Sequence, residues 1–186
     1  MGRSDVLVVA ATREEARYVP DDLPLLVTGL GKVAAASAVA GWLGAATPLE
    51  PGFEVINVGT AGALRDGVSG LQIPGRVINH DIAADLLAEM GVRVEDEIVL
   101  SDQSDIVLAT GDAFVADTVT RAALATRASL VDMEGFAVAW ACRQARVRSV
   151  LVKHVSDNAD STALDWPERI DASARELGAW LADYLA

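Results

Sequence analysis

The chain has 186 residues, of which 52% are hydrophobic, so it has enough apolar side chains for one packed domain and is too apolar to be disordered. Its formal net charge of −12 argues against nucleic acids and anionic membrane surfaces as partners. With one cysteine, Cys142, no intrachain disulfide can form, and we expect a cytoplasmic protein. The first apolar segment is too short for a secretory signal, and no run of about 18 apolar residues predicts a membrane-spanning helix.

Short apolar runs alternate with helical patterns along the whole chain. The predicted strands, in chain order, cover residues 5–11, 23–29, 53–59, 75–82, 105–112, 129–134 and 149–157. The predicted helices between and after them cover residues 13–19, 32–46, 83–91, 115–127, 135–146 and 169–185. The segments 47–52 and 65–75 contain proline and glycine and are predicted to be loops.

This order of strands and helices predicts an α/β fold. Several strands are apolar without alternation, as expected for strands that helices cover on both faces. The β-α-β order favours a central mixed, mostly parallel sheet flanked by helices. Because no linker or internal repeat interrupts the chain, residues 1–186 are predicted to form a single domain.

A glycine-rich stretch joins the second predicted strand to the first long helix. VTGLGKVAA contains Gly29, Gly31 and Ala34 at the spacing of a dinucleotide-binding fingerprint. That fingerprint also needs an acidic residue at the end of the next strand, but this strand carries its acid, Glu54, at its start. A nicotinamide cofactor is therefore disfavoured. A plain tight turn and a backbone cradle for another anion or a sugar both stay open.

A second run of small residues follows the strand at 53–59. In NVGTAGAL, Gly59 and Gly62 allow close approach of the backbone, and Thr60 offers a hydroxyl group. By itself this run predicts only a turn between a strand and a helix. Two such turns after successive strands favour a ligand-binding cleft.

Carboxylates follow two of the apolar strands. Asp132 and Glu134 lie in SLVDMEG, and Asp157 ends LVKHVSD, at a strand tip where α/β proteins place their chemistry. Acidic groups in such apolar surroundings are costly unless they are hydrogen-bonded or functional. Glu134 is placed either to interact with the N-terminus of the helix that begins at Gly135 or to accept hydrogen bonds from neighbouring sugar hydroxyls.

No metal site is predicted. The pairs His80–Asp81 and His154–Asp157 match no zinc-ligand spacing, and the chain has only two histidines. A serine hydrolase is also disfavoured, because the sequence contains no G-x-S-x-G.

Five segments, taken in order, resemble the nucleoside phosphorylase/nucleosidase superfamily: TGLGKVAAA, NVGTAGAL, ATGDAFV, VDMEGFAVA and VKHVSD. The resemblance is closest to the methylthioadenosine/S-adenosylhomocysteine nucleosidases and the futalosine hydrolases. It implies an α/β phosphorylase/hydrolase-like fold with a partly barrel-like mixed sheet, no cofactor, and a homodimer. It also implies that His80 and Asp81 lie in a region that borders the pocket and the subunit contact.

The resemblance implies two catalytic carboxylates. AATREEA is similar to the motif whose last glutamate activates water, which falls on Glu15, and VSD is similar to the motif that makes Asp157 the proton donor, with Ser156 as its orienting neighbour. Breaking the C–N bond to a purine requires protonation of the leaving base and builds positive charge on the sugar, as in glycoside hydrolysis. The apolar strand before Asp157 is expected to favour its protonated form.

The same resemblance implies the residues that hold the substrate. In TGDAFV, Phe114 is expected to stack on the purine and the Val115 backbone to hydrogen-bond it. In DMEG, Met133 is expected to lie against the sugar and Glu134 to bind its hydroxyls. Thr60 matches a position near the sugar that commonly carries a small hydroxyl residue.

The implied activity is hydrolysis of a purine nucleoside, with a modified 5′ end and with water as co-substrate. Two alternatives on the same fold stay open. A phosphorylase would hold phosphate with Arg13, Lys32 or Lys153, and Lys153 stands where arginine is frequent in the family. A non-catalytic nucleoside sensor would bind without turnover.

Overall fold

The computed structural model describes residues 5–186, apart from the side chains at positions 162, 165 and 167, so residues 1–4 of the predicted domain lie outside the described part. The strands are β1 Val6–Ala10, β2 Leu25–Val27, β3 Glu54–Ala63, β4 Leu71–Gln72, β5 Arg76–Asn79, β6 Glu97–Val99, β7 Val107–Thr110, β8 Leu130–Asp132 and β9 Arg148–Asp157. The α-helices are α1 Lys32–Ala45, α2 Ala84–Glu89, α3 Thr118–Ala125, α4 Gly135–Gln144 and α5 Trp166–Tyr184, with a 3₁₀ helix at Ser161–Asp165.

Within this range the nine strands form one sheet in the order β2-β1-β3-β8-β7-β5-β6, and β9 pairs with both β3 and β4. The pairs β1–β2, β1–β3, β3–β9, β5–β7 and β7–β8 are parallel. The pairs β3–β8, β4–β9 and β5–β6 are antiparallel. The predicted α/β fold with a mixed, mostly parallel sheet is therefore confirmed.

Helices cover both faces of this sheet. In β1, Leu7 and Val9 pack with apolar residues of α1 and α4 on one face. Val6 and Val8 point to the opposite face, where they pack with Leu177 of α5. This double burial explains why β1 is apolar at every position. None of the helices within residues 5–186 is long and apolar enough to cross a membrane.

Residues 11–19 form a series of turns, so the predicted helix at 13–19 is wrong. Glu15 folds back on the chain, and its Oε2 accepts a hydrogen bond from the backbone N–H of Thr12 at 3.2 Å. Its Oε1 accepts a hydrogen bond from the backbone N–H of Thr60, a residue that lies far away in the sequence. So short a helix has little stability of its own, and these side-chain hydrogen bonds decide the local conformation instead.

β3 continues past the point where the sequence predicts a turn. It stays paired with β9 through this stretch, as far as Gly62 opposite Asp157. A Cβ added at Gly59 would lie 3.2 Å from Lys153 Nζ and 3.3 Å from Glu15 Oε1, and one added at Gly62 would lie 2.9 Å from Asp157 Oδ1. The predicted turn is wrong, because these glycines make room for the charged side chains beside them and do not reverse the chain.

The sequence also misses some short elements. β4 lies inside the predicted loop 65–75, and β6 is a strand of three residues in which only Ile98 is buried. The last helix begins at Trp166, before the predicted start of the segment 169–185. Two or three residues are too few to show a hydrophobic period.

Candidate active site

One pocket lies where the chain leaves the carboxyl ends of β1, β3, β7, β8 and β9, and it holds about 700 Å³ of empty space, part of it open to solvent. Its lining includes every site residue that the sequence predicts, namely Glu15, Thr60, Phe114, Val115, Met133, Glu134, Ser156 and Asp157. The structure thus brings together side chains from five separate segments. The other lining residues are Leu30, Ala61, Gly62, Ala113, Val131, Asp132 and Trp166.

Glu15 is buried, and its carboxylate is held on both oxygens. Oε1 accepts from the backbone N–H and from the hydroxyl of Thr60, both at 2.8 Å. Oε2 accepts from the backbone N–H and from the hydroxyl of Thr12, both at 3.2 Å. These four contacts fix the orientation of the carboxylate in the pocket. The arrangement therefore suits a base.

Trp166 is a pocket residue that the sequence analysis does not predict. Its indole Nε1–H donates a hydrogen bond to Thr60 Oγ1 at 2.8 Å. No local pattern marks this residue, because its partner lies far away in the sequence. Only the packing of the start of α5 across the end of β3 brings the two together.

Asp157 faces the pocket from the end of β9 and is buried. Its Oδ2 accepts a hydrogen bond from the hydroxyl of Ser156 at 2.7 Å, and its Oδ1 accepts from the backbone N–H of Ala159 at 2.8 Å. Within residues 5–186, two cations lie near this strand end: Lys153 forms its ion pair with Asp132, and Arg169 Nη1 donates to the backbone carbonyl of Ser156 at 3.1 Å. Asp157 therefore has orienting donors without a lysine or arginine partner among the described contacts.

Glu134 precedes α4, and its Oε1 accepts a hydrogen bond from the backbone N–H of Gly31 at 2.7 Å. The left-handed φ of +90° at Gly31 directs this N–H at the carboxylate. The glycine-rich stretch before α1 is thus a turn whose N–H holds a pocket residue. Burial, together with the negative charge of Asp132, raises the pKa of Glu134 to about 7.

A buried polar network lies beneath the pocket. Lys153 is only 1% exposed, and its Nζ contacts Asp132 Oδ2 at 2.9 Å and Asn57 Oδ1 at 2.8 Å. Asp132 Oδ1 accepts from the hydroxyl of Thr110 at 2.6 Å. Burial alone lowers the pKa of Lys153, but the charges of Asp132 and Glu134 raise it on balance. The lysine therefore stays charged and offsets part of the carboxylate charge at the pocket floor.

A second charged cluster ties the start of α1 to the loop that carries Phe114. Lys32 Nζ contacts Asp81 and donates to Asn79 Oδ1 at 2.9 Å, while the Lys32 backbone N–H donates to Asp112 Oδ1 at 2.8 Å. The Asp112 N–H donates in turn to Asp81 Oδ2 at 2.8 Å. Asp81 lies outside the described pocket lining. It therefore orders the loop that carries Phe114 without facing the pocket itself.

The remaining predicted binding residues form the apolar side of the pocket. Phe114 is 54% exposed and stands at the pocket mouth, whereas Val115 is buried. Met133 and Leu30 complete the apolar lining around them. An exposed aromatic ring beside a polar floor gives a purine-sized ligand both a stacking surface and hydrogen-bond partners.

A family model for the phosphorylase superfamily matches residues 21–186. The chain belongs to the phosphorylase superfamily. The match runs from before β2 to the end of α5, so it includes the pocket residues except Glu15. The predicted family is confirmed.

Relatives of this superfamily member include nucleosidases. The 5′-methylthioadenosine/S-adenosylhomocysteine nucleosidase of Shewanella denitrificans is 28% identical over 169 residues, which cover 75% of this chain and 70% of the relative. The nucleosidase of the same name from Shewanella frigidimarina is 29% identical over 169 residues, with the same coverage.

Solved structures match nearly the whole superfamily domain. A mutant of the Helicobacter pylori 5′-methylthioadenosine/S-adenosylhomocysteine nucleosidase with 5′-methylthioadenosine in its active site superposes with a TM-score of 0.81 and 21% identity, over 96% of both chains. Native futalosine hydrolase of Helicobacter pylori gives a TM-score of 0.80 and 22% identity, over 95% of both chains. The predicted phosphorylase/hydrolase-like fold is confirmed.

Glu134→Gln is expected to stabilise this phosphorylase-superfamily protein at pH 8. A carboxyl group whose pKa is raised on folding stabilises the fold fully only below its unfolded value, and this contribution is lost as pH rises through about 7. Ionised Glu134 therefore lowers the free energy of unfolding at pH 8 by up to about 3 kcal/mol. Glutamine removes the charge and keeps an acceptor for Gly31.

Thermal unfolding of both proteins at pH 8 and pH 5 measures this effect. The melting temperature of Glu134→Gln should exceed that of the unmodified protein at pH 8, and most of the gain should vanish at pH 5. An equal difference at both pH values would show that Glu134 does not titrate in this range.

Proposed function

We propose that the chain is a purine nucleosidase, which hydrolyses the N-glycosidic bond of a 5′-modified purine nucleoside, such as methylthioadenosine or S-adenosylhomocysteine, to free base and sugar. The observation that carries the proposal is the convergence of Glu15, Glu134 and Asp157 on one pocket that also contains an aromatic ring. The nucleosidase relatives support an N-glycosyl hydrolase.

In the proposed reaction, Asp157 is the general acid. It donates a proton to the purine as the C–N bond breaks, so that the base leaves in a neutral form. The Ser156 hydroxyl, 2.7 Å from Asp157 Oδ2, can donate to the ionised carboxylate and accept from the protonated one. Together with the Ala159 N–H on Oδ1, it fixes the direction in which the carboxyl group points.

The nucleophile is water, and Glu15 accepts its proton as the oxygen attacks C1′. Its four hydrogen bonds with Thr12 and Thr60 hold the base in one orientation. Glu134 binds the sugar hydroxyls and, when ionised, stabilises the positive charge that develops on the ring. Phe114 stacks on the purine while the Val115 backbone bonds to it.

The contacts of the basic residues favour water over phosphate as nucleophile. Lys153 is buried with Asp132 and Asn57, and Lys32 is engaged by Asp81. Arg13 is exposed and is not among the described residues that line the pocket. A phosphate in the pocket would instead face the carboxylates of Glu15 and Glu134, which repel it.

The test is a panel of purine nucleosides incubated with the protein in phosphate-free buffer, with free base and free sugar measured by chromatography. We expect equal amounts of both products and no rate increase when phosphate is added. Formation of sugar 1-phosphate only with phosphate would identify a phosphorylase. Binding of every nucleoside tested without release of base would identify a sensor.

A homodimer stays a prediction. The side chains of Leu30, Val33 and Phe114 are all more than half exposed and lie beside the pocket or the start of α1. We propose this face as the one that a second copy covers, because exposed apolar side chains beside a binding pocket mark interaction surfaces.

A further inference from the structure

The start of α5 makes a direct polar contact with the residue that holds the proposed base. Trp166 Nε1–H donates to Thr60 Oγ1 at 2.8 Å, and Thr60 Oγ1 donates to Glu15 Oε1 at 2.8 Å. Three side chains from distant parts of the sequence therefore form a continuous chain of hydrogen bonds that ends on the Glu15 carboxylate.

The chemistry of the three groups fixes the direction of this chain. An indole N–H only donates, an ionised carboxylate only accepts, and a hydroxyl does both. While Trp166 donates to Thr60, the hydroxyl proton of Thr60 is directed at Glu15. Without the indole donor, that hydroxyl is free to rotate towards water or a ligand and to leave Glu15 with one donor fewer.

We propose that Trp166 is a positioning residue for Glu15, which it orients through the Thr60 hydroxyl. This inference rests on the proposed function, in which Glu15 accepts a proton from water. Glu15 is buried, and its closest donors are the backbone N–H and the hydroxyl of Thr60, at 2.8 Å against 3.2 Å for those of Thr12. The Thr60 hydroxyl is the donor whose orientation depends on another element of the fold, so α5 controls how the base is held.

Trp166→Phe tests the inference because phenylalanine keeps an aromatic ring in the pocket lining and loses the N–H donor. We expect kcat for base release to fall about tenfold, with KM changed by less than about threefold. Since a donor to a carboxylate favours its ionised form, the acid limb of the kcat profile should also move to higher pH.

The matched control is Trp180→Phe, which makes the same exchange in α5. The Trp180 ring stacks on Tyr184 with centroids 4.6 Å apart and is not among the pocket-lining residues that the structure describes. This variant should keep the kcat and the pH profile of the unmodified protein. Circular dichroism of each variant reports whether it folds.

A double-variant cycle with Thr60→Val separates the hydrogen-bond chain from simple packing. Valine retains the shape and the backbone N–H but removes the hydroxyl, so Trp166→Phe should have little further effect on kcat in that background. Additive losses would overturn the inference. If Trp166→Phe fails to fold, Trp166→Met, which also lacks the N–H donor, takes its place in the cycle.

The outcomes distinguish this inference from the proposed function. An active protein whose Trp166→Phe variant keeps its kcat and its acid limb would overturn the role of Trp166 alone. A protein that releases no base from any nucleoside would overturn the proposed function, and the positioning role with it.

Discussion

Asp157→Asn is expected to lower kcat for base release by about 10²–10⁴-fold, the usual contribution of a general acid. Asparagine has nearly the same shape: its amide oxygen can accept from the Ala159 N–H while its NH2 group donates to the Ser156 hydroxyl oxygen. It has no carboxyl proton to give to the departing purine. The measurement is the rate of base release under saturating nucleoside in phosphate-free buffer.

Asp102→Asn provides the control, because it makes the same exchange at an exposed loop position outside the described pocket lining. That variant should turn over at the unmodified rate. Equilibrium dialysis should show that the Asp157→Asn protein still binds nucleoside. Unchanged turnover in Asp157→Asn would show that Asp157 is not the general acid of the reaction.

Lys153→Met is expected to lower the free energy of unfolding by about 3–5 kcal/mol, since it leaves a buried carboxylate without its ion-pair partner. Lys153 and Asp132 are each almost fully inaccessible to solvent, and their contact is 2.9 Å. Methionine fills a volume similar to that of lysine, so the loss of stability should come from the unpaired charge of Asp132. Urea unfolding followed by circular dichroism gives the free energy directly.

Two further variants identify the cause. Lys153→Met combined with Asp132→Asn removes both charges and should recover part of the lost stability. Arg175→Met breaks an exposed ion pair with Asp171, with contacts of 3.1 Å, and should cost less than about 1 kcal/mol. A loss for Lys153→Met no larger than that for Arg175→Met would show that the buried pair contributes little.

The apolar strands and the long helices are predictable because their patterns are local. β1 and α4 are buried almost throughout, so their sequences are apolar almost throughout. The segment at 13–19 has a helical composition but no helix, because Glu15 bonds to Thr12 and Thr60. One of these two partners, Thr60, lies 45 residues away and leaves no trace in the segment itself.

Site residues also divide into those that a local motif marks and those that only a contact with a distant residue reveals. The resemblance identifies Glu15, Glu134 and Asp157 because their segments match known motifs, and the structure places all three in one pocket. Trp166 has no such motif, and its importance comes from a contact with Thr60. The sequence predicts a turn at Gly59, since small residues suit both a chain reversal and close packing.

The pocket is assembled from segments that extend from Glu15 to Trp166, so an unfolded chain has no trace of it. Any nucleoside that fits must therefore bind the folded chain alone and shift the folding equilibrium by mass action. At a hundred times its Kd, a ligand adds about 2.7 kcal/mol, which raises the melting temperature of a chain this size by roughly 5–10 °C. Melting curves of the slow Asp157→Asn protein with different nucleosides would thus rank the bases and 5′ groups by affinity, with no need for turnover.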